Sequence, residues 1–446
     1  MNLREFRKTG HWPSLLSAFL YFDTSFAIWV LIGALAVSIS ADFWPKPDGV
    51  TPEEHLRQIA PLQTLMMAVP LLGGSILRLV LGLMTDRIGA RRTGLIGMSL
   101  TALPLLLGWL WATSLPQMLL VGLMLGVAGA SFAAALPLAS RWYPPERQGL
   151  AMGIAGAGNS GTALATFFGP MLAKAIGWHA VFALALAPLA LTFLVFFLLA
   201  KDSPNQPPPK PLIDYGRVFG QADTWWFCLF YSMTFGGFVG LSSFLNAFFA
   251  NQYFPADPKT GAVYAGWFTT LCVISGSFLR PVGGHLADRF GGVRMLLGLY
   301  LFAGAALAGM AFLPPLAGAI ALLFAVMGLL GMGNGAVFQL VPLRFRKEVG
   351  VMTGVVGAAG GLGGFLLPNV LGGMKRLTGS YGIGFAVIAG ISFLCLALLW
   401  RVKARWESTF VTQALHSAAA SPAPAPASPA AVEPSLAVAP AVGGSN

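Results

Sequence analysis

A chain of 446 residues with 56% apolar and only 10% charged residues cannot present the surface of a water-soluble domain, where about a quarter of residues carry charge. At about 20 residues per crossing it has room for a dozen membrane helices. The formal net charge of +11 would point to nucleic acid in a soluble protein; in a lipid-facing chain it is the excess of Lys and Arg on one membrane side, so the lipid bilayer and no nucleic acid is the expected surrounding.

Taken in order, the chain opens with a short basic stretch, MNLREFRKTGHWPS, followed by an apolar run from Leu15 to Ser40 that is too long for a signal-peptide core. Hydropathy and helix breakers predict spans at about 15–40, 60–85, 93–113, 117–140, 149–171 and 179–200, then 224–250, 262–287, 293–313, 316–340, 350–373 and 380–401. Between the sixth and seventh, PNQPPPKP marks an irregular linker. After Arg405 the composition collapses into Ala, Pro and Ser, which cannot bury enough surface to fold. The expected domains are an N-terminal six-helix bundle over 1–200, a linker over 201–223, a second six-helix bundle over 224–405 and a tail over 406–446.

The two halves are copies. Gly74 to Arg92, GSILRLVLGLMTDRIGARR, recurs as Gly276 to Arg294, GSFLRPVGGHLADRFGGVR, so that Arg78 and Asp86 match Arg280 and Asp288. GLAMGIAGAGNSG from Gly149 repeats at nearly the same displacement as GVMTGVVGAAGGL from Gly350. A shared displacement of two separate patterns is the mark of an internal repeat, and in transporters such repeats meet at the substrate site. Of the 27 Lys and Arg, 19 fall on the side of the termini and six on the other, leaving Arg78 and Arg280 inside spans; both termini are expected in the cytoplasm.

A charge deep in the bilayer costs at least about 2.5–3.5 kcal/mol, which makes it a functional candidate. Asp23, Arg78 and Arg280 qualify. Two cations against one acid leave a positive centre, most simply neutralised by a small anionic substrate. Guanidinium keeps its proton and its planar fork suits a planar oxyanion. The alternative is a structural Asp23–Arg78 ion pair, with Arg280 held by backbone carbonyls. The glycines of the fifth and eleventh spans serve close packing and let helices slide; Asn159 among them is a lone amide that can reach a ligand or simply bridge helices. Cys228, Cys272 and Cys395 have no paired spacing for a metal or redox site, and no cofactor loop is visible, so no cofactor, metal or enzymatic chemistry is expected.

These motifs carry a resemblance. Over nearly all of its first 405 residues the chain resembles the nitrate/nitrite porters of the major facilitator superfamily, through the arginine-bearing GSILRLVLGLMTDRIGARR, its second copy, the GAGNSG of the fifth span and the GAAGGLGGFLLP of the eleventh. The resemblance implies an all-α fold of two pseudo-symmetric six-helix bundles around a central site. It implies that Arg78 and Arg280 clamp the anion, Asn159 and Tyr231 hydrogen-bond it, and Phe132 and Phe338 flank it above and below. It implies a gate built from Asp86, Arg87, Arg91, Arg92, Asp288 and Arg289.

The function this implies is nitrate import across a bacterial cytoplasmic membrane by alternating access. Asp23 is the candidate for proton coupling, because an apolar setting favours its neutral form while a nearby arginine favours its anion. Exchange of nitrate for nitrite is the alternative; a non-transporting anion sensor is a third reading. His11, His55, His179, His285 and His416 lie at helix ends, loops or the tail and offer no relay. The expected partners are nitrate or nitrite and protons, and the default assembly is a monomer.

Overall fold

A computed structural model describes residues 7–204, 212–345 and 349–411, and within them every regular element is helical. The expected C-terminal tail lies almost wholly outside the described residues, as do the middle of the linker and the loop containing Lys347.

The spans are α1 Trp12–Phe43, α2 Pro52–Ile88, α3 Ala90–Leu110, α4 Leu115–Ser140, α5 Pro145–Ile176, α6 Trp178–Leu199, α7 Ala222–Tyr253, α8 Pro258–Phe290, α9 Gly292–Met310, α10 Leu316–Arg344, α11 Val349–Thr378 and α12 Gly382–Trp406. Eleven are long and apolar enough to cross a membrane, two of them with a brief interruption, at Val30 in α1 and at Ala130–Ser131 in α4. The twelfth, α5, is split into Pro145–Gly156 and Gly161–Ile176 by a 3-10 turn over Ala157–Ser160, inside GAGNSG. A further irregularity is a π turn at Ser232–Gly236 in α7. Such departures are tolerated in a membrane only where neighbouring helices satisfy the freed backbone groups, so both mark the protein interior. The linker, expected to be irregular, carries a short helix, Leu212–Arg217, and a 3-10 turn, Val218–Gly220.

Starts and stops follow from local chemistry. Thr51 caps α2 by accepting the Glu54 N–H, and Asp257 caps α8 by accepting the Thr260 N–H. Both DRxG motifs end on a glycine in the left-handed region, Gly89 and Gly291, each with φ +89°. A residue with a Cβ is strained there, which explains why the repeated motif places glycine at the sharp turns from α2 to α3 and from α8 to α9.

The repeat is also visible in packing. A Cβ on Gly126 of α4 would meet the Gly73 backbone of α2 at 2.2 Å, and one on Gly331 of α10 would meet the Gly276 backbone of α8 at 2.0 Å. Matched glycine pairs thus seat α4 on α2 and α10 on α8 at backbone contact, fixing the two intramembrane arginines in their bundles.

The halves touch on the side away from the termini. Asn246 Nδ2 of α7 donates to the Ala34 carbonyl of α1 at 2.6 Å, and Asn251 Nδ2 donates to Gln63 Oε1 of α2 at 2.9 Å. Arg57 spans to the Arg376 and Leu377 carbonyls of α11 at 2.8 and 3.2 Å, and Thr166 of α5 meets Thr270 of α8 at 2.9 Å. Toward the terminal side, Gly153 of α5 and Gly354 of α11 face open space, with nothing within 4 Å of a Cβ built there.

Candidate functional site

Arg78 is among the largest side chains that are fully buried, at 1% exposure. Its Nε donates to the Gly129 carbonyl of α4 at 3.1 Å and its Nη1 to the Gly357 carbonyl of α11 at 2.6 Å, while Nη2 has no partner. One turn earlier Ser75 Oγ donates to the neighbouring Ala358 carbonyl, so α2 grips α11 through two consecutive carbonyls. The guanidinium carbon lies 4.7 Å from the ring centre of Phe235, 5.1 Å from Trp29 and 5.6 Å from Phe132. Ring faces supply the only negative potential near it besides the carbonyls, and each such contact contributes roughly 0.5–2 kcal/mol.

Arg280 approaches the same place from the other half. Its guanidinium carbon is 5.9 Å from the Phe132 ring centre, on the ring that Arg78 also faces, and its Nη1 is buried without a partner. Tyr231 is 1% exposed, lies in the field of both guanidinium groups and has its hydroxyl within hydrogen-bonding reach of Arg280. Asn159, 1% exposed in the 3-10 turn of α5, has neither amide atom hydrogen-bonded. The helix break explains its availability: in the 3-10 turn its side chain stands beside backbone that small residues keep thin. The structure therefore brings Arg78, Arg280, Tyr231 and Phe132 into one cluster.

Two expectations need correction. Phe132 and Phe338 are in contact, with ring centres 5.8 Å apart at 49°, and Phe338 also packs edge-on against Tyr231 at 4.9 Å. A flat anion between two rings requires about 7 Å, twice the carbon contact distance, so in this conformation no slot lies between them. The alternative ion pair of Asp23 with Arg78 is also not formed. Asp23 Oδ1 instead accepts the Ser160 hydroxyl at 2.7 Å, at the N-cap of the second segment of α5. That places a carboxylate on a helix N-terminus, where the backbone N–H groups and dipole favour it. Arg78 is the arginine held by carbonyls, the place that this alternative gave to Arg280.

Asp86 and Arg91 of the gate make contacts within their own half. Asp86 accepts Arg141 Nη2 at 2.9 Å. The Arg91 N–H donates to Asp202 Oδ1 at 2.9 Å and its Nη2 to the Phe197 carbonyl at 2.9 Å, which ties α3 to the end of α6. Arg87, Arg92, Asp288 and Arg289 are exposed, Arg289 lying over the Phe290 ring at 5.5 Å. In the second half the end of α10 pairs elsewhere: Arg344 Nε donates to Asp223 Oδ2 at 2.6 Å, and Asp223 Oδ1 also takes Arg405 and, at 2.9 Å, Trp406 Nε1. Asp223, read from sequence as the last linker residue, is thus the acidic hub joining α7, α10 and α12. Trp29 and Phe235 were also missed; nothing in the sequence sets them apart among 12 Trp and 33 Phe.

Comparison with known proteins agrees with this architecture. The Major Facilitator Superfamily profile matches residues 15–368. The chain is 33% identical to the nitrite extrusion protein of Bacillus subtilis over 88% of this chain and 95% of that protein. It is 34% identical to a probable nitrate/nitrite transporter of Mycobacterium tuberculosis over 83% and 91%, and 30% identical to a probable nitrate/nitrite antiporter of Thermus thermophilus over 85% and 89%. Among solved structures, a partially occluded inward-open xylose transporter of E. coli matches with a TM-score of 0.67 at 14% identity, covering 87% of this chain and 98% of that one. The duplicated arginine helices, the twelve-span fold and these relatives together place the chain in the nitrate/nitrite porter family of the Major Facilitator Superfamily.

Proposed function

We propose that the protein imports nitrate across a bacterial cytoplasmic membrane by alternating access, with Arg78 and Arg280 as the anion clamp. The observation that carries this reading is the convergence on Phe132 of two guanidinium groups from opposite halves, each with a buried N–H that has no acceptor. A buried charged donor without a partner costs several kcal/mol, so such an arrangement is stable only when an anion completes it. The named activities of the nitrate and nitrite relatives support the choice of anion. A planar monovalent oxyanion matches a donor set of two Arg, one Asn and one Tyr; phosphate or sulfate calls for more donors.

The excess of Lys and Arg on the terminal side makes that side cytoplasmic, and the conformation described above is then inward-facing. On this reading the Arg57, Asn246, Asn251 and Thr166 contacts form the periplasmic closure and break when the transporter turns outward. The Gly357 carbonyl on α11 that anchors Arg78 belongs to the same closure, so that anion binding and helix movement share one side chain.

Two energy sources fit. Proton symport uses Asp23 as the titrating group, in contact with the N-terminus of the broken segment of α5, so that its protonation would loosen that joint. Nitrate/nitrite exchange is favoured by the same contact if the Ser160 hydrogen bond keeps Asp23 from exchanging a proton during the cycle. Uptake of nitrate into proteoliposomes containing only this protein separates them. Concentrative uptake from an inward proton gradient supports symport, uptake only against internal nitrite supports exchange, and no flux in either condition rejects the nitrate assignment.

A further inference from the structure

We infer that Asn334 of α10 is a further anion-contacting residue, forming the roof of the site on the side away from the termini; the inference rests on the anion site proposed above. Among the described residues, buried side-chain nitrogens without a hydrogen-bond partner belong to Arg78, Arg280, Asn159, Arg91 and Asn334. The first three are the proposed anion donors, and Arg91 lies at the start of α3, where its other groups hold Asp202 and Phe197. Asn334 remains, 0% exposed, with both Nδ2 and Oδ1 unpartnered. A carboxamide serving only to bridge helices would show a helix partner.

Its position is that of a site residue. Asn334 is four residues before Phe338 and shares its helix face, and Phe338 touches both Phe132 and Tyr231. The residues on either side of it abut the two site helices of the second half: a Cβ on Gly333 would meet Thr234 Cγ2 of α7 at 2.6 Å, and one on Gly335 would meet the Arg280 carbonyl of α8 at 2.4 Å. Asn334 therefore faces the cleft between α7 and α8. Cβ atoms lean toward the helix N-terminus, which carries its amide toward the closed side, above Arg280 and Tyr231. The hydroxyls of Thr234 and Ser277, each three residues from Tyr231 or Arg280 in the same direction, are likewise buried and unpartnered.

The internal repeat sharpens the point. The glycine contacts Gly73–Gly126 and Gly276–Gly331 put Gly129 of α4 in register with Asn334 of α10. The Gly129 carbonyl accepts Arg78 Nε, and a Cβ on Gly129 would strike the Trp29 indole at 2.1 Å. At this position the first half thus has backbone and an indole beside its arginine, and the second half has a carboxamide. In that place Oδ1 can accept from Arg280 while Nδ2 donates to an oxygen of a small planar oxyanion, giving each half one amide donor, Asn159 and Asn334.

The test uses the full-length protein in detergent and in proteoliposomes, with nitrate as the probe. Nitrate affinity is read from nitrate-dependent thermal stabilisation and from the KM of uptake, and stability from the Tm without nitrate. Asn334→Ala is expected to raise Kd and KM about tenfold or more, the loss of one hydrogen bond to a charged ligand, with a small change in the nitrate-free Tm. Asn334→Asp is expected to abolish stabilisation by nitrate, and Asn334→Ser, a smaller polar replacement, to fall between. If Asn334→Ala does not fold, the Ser and Asp variants decide. A lowered nitrate-free Tm with unchanged Kd and KM assigns Asn334 to structure and overturns the inference while leaving the arginine clamp standing. A wild-type protein that neither binds nor transports nitrate overturns the clamp, and this inference with it.

Discussion

Arg78 of the first half donates to the Gly357 carbonyl of the second half at 2.6 Å, so the cation proposed to hold the anion is also a strut between the bundles. Lysine keeps the charge, but its three N–H donors radiate from a single nitrogen and cannot reproduce the planar fork that spans Gly129, Gly357 and a ligand. Arg78→Lys is expected to lower nitrate uptake at least a hundredfold with normal membrane levels. Arg280→Lys, whose guanidinium has Tyr231 as its neighbour, is expected to do the same. Near-normal uptake by both variants sinks the clamp.

The glycines of α5 are not equivalent. A Cβ on Gly161 would lie 1.8 Å from the Asp23 carbonyl oxygen, whereas one on Gly153 would meet nothing within 4 Å. Gly161→Ala forces α1 and α5 apart and is expected to cost about 1–3 kcal/mol, read as a lower Tm and lost uptake. Gly153→Ala is expected to leave the Tm unchanged or raise it, since alanine favours helix by up to about 1 kcal/mol. Equal Tm for the two variants would falsify the close α1–α5 contact.

The Thr166–Thr270 contact joins α5 to α8 across the closed side at 2.9 Å. Replacing both by cysteine, with Cys272→Ser to remove the neighbouring thiol, is expected to give a disulfide under mild oxidation that stops uptake, with reductant restoring it. Full transport by the crosslinked protein shows that this seam does not open in the cycle.

Asp23 bonds to Ser160 and, among the described residues, to neither intramembrane arginine. If it carries the coupled proton, Asp23→Asn eliminates the response to a proton gradient while nitrate binding, read as thermal stabilisation, persists. Ser160→Ala removes one bond to the carboxylate and is expected to shift the pH dependence of gradient-driven uptake without abolishing it. Undiminished gradient-driven uptake by Asp23→Asn returns this carboxylate to a capping role at α5.

Much of this was legible in the chain because membrane folding writes strong local signals. Every predicted span finds its helix, since each must satisfy its own backbone hydrogen bonds in lipid. Arg78 and Arg280 stood out because a charge in an apolar run needs a reason, and the repeat showed that both halves supply one. The break in α5 had its trace in GAGNSG, where glycines weaken the helix around Asn159. The π turn in α7 had none, because Ser232–Gly236 is ordinary in composition. Trp29 and Phe235 were invisible for the same reason: an aromatic facing a guanidinium and one packed in the core are the same residue to a sequence.

What the sequence determined alone is therefore whatever depends on solvent preference and on repetition: twelve spans, two copied halves, the excess of basic residues on one side, and two arginines that cannot be left bare. Only the tertiary structure decided which groups those charges meet. It gave Arg78 two backbone carbonyls instead of Asp23, turned Asp23 toward the start of a broken helix, and made Asp223 the hub for Arg344 and Arg405. Such pairings depend on how helices far apart in the chain are rotated and seated on one another, which is set by backbone contacts between glycines and by the shape of the assembled core, and hydropathy carries no record of either.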